Sequence, residues 1–118
     1  MPHMLLIHEP VGQRATRSDP EGRAVYDRML RWGDDLKARG LLLGAESLAS
    51  TEHAVRVSTG GGRARIVDGP FAEAKEMVGG FFLVNVDTRE EAVALAQTCP
   101  AAEWATVEVR ALAPCFET

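Results

Sequence analysis

The chain has 118 residues, 46% of them hydrophobic and 25% charged, a balance that suits one soluble domain with a single core and excludes disorder. Thirteen Lys and Arg against 17 Asp and Glu leave a formal charge of −4, which argues against nucleic-acid binding because a phosphate groove needs a basic surface. Two cysteines are too few for a disulfide framework, and the three histidines have no partners at metal-ligand spacing. No metal, no cofactor and a cytoplasmic location with free thiols are therefore expected.

The opening "MPHMLLIHEP" carries an apolar run of four residues, too short for a signal sequence or a membrane span. "HMLLIH", residues 3 to 8, reads as a buried strand, and "EPVGQRAT" as a polar loop. Ser18 and Glu21 form a capping box around Pro20, so a helix starts there. Val25, Met29, Trp32 and Leu36 make one apolar stripe on it, and Gly40 ends it. "LLLGAESL" restarts as a strand. "HAVRVST" and "RARIVD" both alternate, and the glycines at 60 to 62 join them as a hairpin. "GGFFLVNV", residues 79 to 86, is the next strand. Thr88 and Glu91 predict a second capping box, with Pro100 closing that helix. "EWATVEVRAL" supplies the last strand.

The order strand, helix, strand, hairpin, strand, helix, strand predicts an α+β fold: a ferredoxin-like split β-α-β sandwich with an added hairpin, in one domain over residues 1–118. "MLLI" and "FFLV" are apolar at consecutive positions, so both sheet faces call for burial. Two helices cover only one face. The expected cover for the other is a second copy of the chain, giving a homodimer with sheet faces opposed and a cavity near the charged loop before Gly79. The alternative is that the loop at 9 to 17 folds over the free face.

"VDGPFAEAKEMVGGFFLVNVD" resembles the signature of the DGPF branch of YCII-related proteins, with support from "MLLIHEP", "KARGLLLGAESL" and "ATVEVRAL". The resemblance covers about residues 3 to 112 and implies a dimeric α/β barrel. Relatives of this kind include small enzymes acting on ring compounds, a dehydrochlorinase among them, and proteins found near sigma-factor regulators. In the shorter YCII branch a His on the first helix and an Asp near the end of the second form a proposed acid-base pair. The first helix here has no His, and Cys99 stands where that Asp is expected.

Asp68 and His8 are the candidate catalytic groups. Asp68 precedes Gly69 and Pro70, where a carboxylate either accepts backbone N–H bonds in the turn or acts as a general base. His8 shares a strand face with Met4 and Leu6 and carries an imidazole, a side chain suited to acid-base work. Arg110, Lys75, Glu73 and Trp104 are the candidate substrate-binding residues, with Trp104, Thr106, Glu108 and Arg110 expected on one face of the last strand. Glu73, Lys75 and Glu76 equally suit a solvated charge cluster. "DGPFAEAKE" contains no nucleophile, so an enzyme here would work by proton transfer or elimination on a small anionic or aromatic substrate. A non-catalytic small-molecule-binding or regulatory module is the alternative. No membrane partner is expected.

Overall fold

A computed structural model describes residues 1–117. Six strands and two α-helices follow one another as β1 (His3–Pro10), α1 (Asp19–Ala38), β2 (Leu42–Ser47), β3 (Val55–Gly60), β4 (Arg63–Asp68), β5 (Glu76–Val84), α2 (Arg89–Thr98) and β6 (Thr106–Ala111). The main sheet has the strand order β2-β5-β1-β6, with every neighbouring pair antiparallel. Strands β3 and β4 pair only with each other and form a separate two-stranded sheet. The fold is thus α+β, with an open sheet rather than a closed barrel. No helix among the described residues is long and apolar enough to cross a membrane.

Local chemistry accounts for the helix ends. The Ser18 side chain accepts from the Glu21 backbone N–H, and the Glu21 carboxylate accepts from the Ser18 N–H at 2.9 Å, so two free donors of α1 are satisfied together. These bonds hold the Glu21 pKa below its ordinary value. A lowered acid contributes stability above the usual glutamate range and loses it as pH falls through the folded-state value. Ser18→Ala should cost about 1 kcal/mol at neutral pH. Urea denaturation checks this; unchanged stability in the variant would rule out the hydroxyl's share of the cap. Gly40, with φ of 72°, stops α1 in a conformation that side chains rarely adopt. At α2 the box is incomplete. The Thr88 hydroxyl accepts from the Glu91 N–H but donates to the Glu91 carboxylate, leaving the backbone N–H of Thr88 outside the exchange.

Both helices pack on one face of the main sheet. Leu5, Phe82 and Val84 meet Leu36 of α1 and Ala92, Leu95 and Ala96 of α2. Trp32 closes edge-on against Phe82, with ring centroids 4.8 Å apart. Strand alternation sends Met4, Leu6, Phe81 and Leu83 to the opposite face, where all four are only half-buried. Exposed Glu46, Glu108 and Arg110 share that face. The 9 to 17 loop does not cover it. Glu9 continues the buried series His3, Leu5, Ile7, and Arg14 turns back to pair with it, so the loop packs on the helix side.

Several strand boundaries differ from expectation: β5 ends at Val84 rather than Val86, and β6 begins at Thr106 rather than Glu103. Strand β1 runs on to Pro10, and β5 begins at Glu76, because Glu9 pairs with Met77 and Pro10 with Glu76 beyond the bulge at Ile7/His8.

Candidate functional site

Between α1 and the helix-facing side of β1, β2 and β5 lies a cavity of about 440 Å³. Its floor is Ile7, Gly79, Gly80 and Phe82, and α1 contributes Tyr26 and Met29 to the opposite wall. The glycines on β5 make room for what crosses them. A Cβ at Gly79 would overlap the Glu9 carboxylate, and one at Gly80 would lie 2.8 Å from the Glu46 backbone carbonyl. Gly33 brings α1 close to the sheet, since its Cβ position is already 3.3 Å from the Phe82 ring.

The polar centre of the cavity is an ion pair. Arg14 Nε donates to Glu9 Oε2 at 3.0 Å and Arg14 Nη2 to Glu9 Oε1 at 2.7 Å, a bidentate clamp. A longer contact of 3.4 Å joins Nη2 to the Gly79 carbonyl. The Glu9 side chain is only 10% exposed and that of Arg14 35%, so the carboxylate depends on the guanidinium for its solvation. The remaining guanidinium nitrogen, Nη1, keeps its donors for water or a ligand.

Trp104 lies at the other end, flanked by the Arg17 guanidinium at 5.8 Å and that of Arg28 at 5.7 Å from its ring. Arg28 is also paired with Glu103. Gln13 Nε2 donates to the Trp104 carbonyl at 2.8 Å, tying the loop after β1 to the turn that carries the indole. Asp34, Ser47 and the Glu46 backbone carbonyl complete the polar lining. The site therefore joins an apolar slot, two guanidinium groups and an aromatic face.

Of the six residues singled out from the sequence, Trp104 lines this cavity and the other five do not. Trp104 precedes β6, as the residue after the 3-10 turn Pro100–Glu103, with φ of −127° and ψ of −1°. That conformation breaks the strand alternation, which is why the indole parts company with Thr106, Glu108 and Arg110 and turns to the helix side. His8 and Arg110 lie on the open sheet face, where His8 Nε2 is 2.6 Å from Glu108 Oε1. Asp68, Glu73 and Lys75 are exposed around the root of the β3–β4 hairpin. The turn there is held by the backbone, Gly69 N–H donating to the Ala54 carbonyl at 2.8 Å, ahead of a cis Gly69–Pro70 bond. Phe71 is buried beneath the Arg56 guanidinium, 3.6 Å from its ring, while Glu73 pairs with the same arginine at 3.7 Å. Lys75 contributes its carbonyl, which accepts from Val11 N–H at 2.9 Å. The charged loop and the loop bearing Arg14 are thereby fastened together.

Glu9 and Arg14 escaped the sequence reading because "EPVGQRAT" looks like a plain polar loop, as did Arg17 directly after it. One signal was available: Glu9 is in phase with Leu5 and Ile7, and a carboxylate on a core-facing phase needs a partner.

The family model of the YCII-related domain matches residues 1–115, nearly the entire chain. The chain belongs to the YCII-related family. A search of curated proteins finds no match for it. The YCII-related match spans the cavity, the open sheet face and the hairpin alike.

Proposed function

We propose that this YCII-related protein binds a small, ring-sized anion in the cavity beneath α1. The supporting observation is the combination of a largely apolar slot of about 440 Å³ with uncommitted guanidinium donors on Arg14 and Arg17 and an indole wall at Trp104. That volume falls in the usual range for small-molecule sites. A planar ligand would stack along Trp104 and Phe82, with its carboxylate or phenolate between Arg14 Nη1 and Arg17. Glu9 fixes Arg14 in place rather than acting as a base, because each of its carboxylate oxygens is held by the guanidinium. The same proposal places the protein in the DGPF branch, as a cytoplasmic homodimer of ferredoxin-like protomers joined through their open sheet faces into a dimeric α/β barrel. Support comes from the half-buried apolar row on that face and from the "DGPFAEAKE" stretch.

One observation favours a catalytic reading. A His–carboxylate pair such as His8–Glu108 orients an imidazole for proton transfer, and Arg110 stands on the same face as an anion holder. Asp68 as base, with Lys75 and Glu73 alongside, belongs to this second reading and requires a second protomer to enclose the open face.

Titration with benzoate, salicylate and uncharged benzamide, followed by tryptophan fluorescence, separates these possibilities. Saturable quenching by the two anions, at least tenfold tighter than by benzamide, is expected. Equal response to benzamide would remove the anion site.

A further inference from the structure

We infer that the β3–β4 hairpin is an arm that clasps a second copy of this chain. Register places Val55, Val57, Ala64 and Ile66 on one face, with Thr59 and Asp68 at its two ends, while Arg56, Arg63 and Arg65 share the other with Ser58 and Val67. The arginine face is engaged at its root, where Arg56 covers Phe71 and pairs with Glu73. The apolar face has no cover: Val57 is 65% exposed and Ile66 66%. Isolated two-stranded hairpins are marginal in water, so a persistent one with a continuous apolar face calls for a surface to lie on.

The shape of the molecule points outward. The radius of gyration is 16.1 Å, whereas a compact chain of this length has about 13.5 Å. The extents of 47 × 43 × 19 Å describe a flat, spread body. The hairpin follows β2, the edge strand of the main sheet, and so leaves from the rim.

Area identifies the occupant. Four strands at the usual spacing give the open sheet face a projected footprint of only roughly 400 Å², a small platform for a stable interface, which buries ~800 Å² of accessible surface per partner. A two-stranded arm adds a footprint of roughly 200 Å². In a two-fold pair each protomer gives one arm and receives one, so the arm counts twice and about doubles the contact footprint of the sheet faces alone. A second copy of this chain is the partner that supplies both surfaces. This inference rests on the face-to-face pairing proposed above.

The test compares the full chain with Val57→Lys/Ile66→Lys on the arm and Leu6→Lys/Phe81→Lys on the sheet face. Sedimentation equilibrium over a dilution series reads association, far-UV circular dichroism confirms folding, and hydrogen exchange reads the β3–β4 amides. The expected result is a dimer whose dissociation constant rises about 100-fold or more in the arm variant, with arm amides protected in the dimer and released on dilution. An arm variant that dimerises as tightly as the unmodified chain would overturn the clasp while leaving the sheet pairing standing. A monomeric unmodified chain would overturn both. Arm protection that does not change with protein concentration would place the arm on its own protomer or leave it free, and would equally overturn the clasp.

Discussion

Arg14→Met is expected to lower the unfolding free energy by about 2–3 kcal/mol and to weaken anion binding at least tenfold. Removing the guanidinium leaves the Glu9 carboxylate, 10% exposed, beside Gly79 without its bidentate donor. Breaking a fully buried pair from one side costs about 3–5 kcal/mol, and the 35% exposure of Arg14 brings the expected cost to the bottom of that range or just below it. Converting the carboxylate to a neutral amide at the same time should restore much of the loss. Glu9→Gln/Arg14→Met is therefore expected to be more stable than Arg14→Met alone, yet still defective in binding. Urea denaturation of the set checks the cycle. Equal stability of the single variant and the unmodified chain would mean that Glu9 has another source of solvation.

Leu36→Ala should cost about 3 kcal/mol, since the side chain is fully buried in the layer between α1 and the sheet. The cavity it leaves faces Phe82 and Val84, which are fixed by strand pairing and cannot collapse inward far. Leu30 provides the contrast on the same helix. It is 47% exposed and lines the cavity mouth, so Leu30→Ala should stay within about 0.5 kcal/mol of the unmodified chain. Thermal or urea unfolding of the two variants should separate them clearly. A similar cost for both would mean that α1 does not present the face assigned to it.

Much of the scaffold could be read from local chemistry. The Ser18–Glu21 box, the stripe from Val25 to Leu36 and the Gly40 stop each act within a few residues, and each appears where the sequence places it. The hairpin was legible for the same reason, as two alternating runs flanking glycines with positive φ at 61 and 62. The cavity was not, because it depends on how closely α1 approaches β5 across Gly33, Gly79 and Gly80. That distance has no signature in periodicity. Trp104 was the instructive case: two residues short of β6, it fell inside an apparent alternation, yet a single 3-10 turn moved it to the other layer. The Asp68 loop drew attention by its charge, but its buried anchor is Phe71 and its fastening is through backbone carbonyls.

Site-resolved titration is the most direct measurement of whether a ligand enters beneath α1. With the indole N–H groups of Trp32 and Trp104 and the ring of His8 followed by NMR, salicylate should shift Trp104 strongly in a saturable manner. Trp32, hydrogen-bonded to Thr98, should move little, and His8, on the opposite face of the sheet, should stay in place. Saturable shifts at His8 with Trp104 unmoved would put the ligand on the open face instead and contradict the cavity beneath α1.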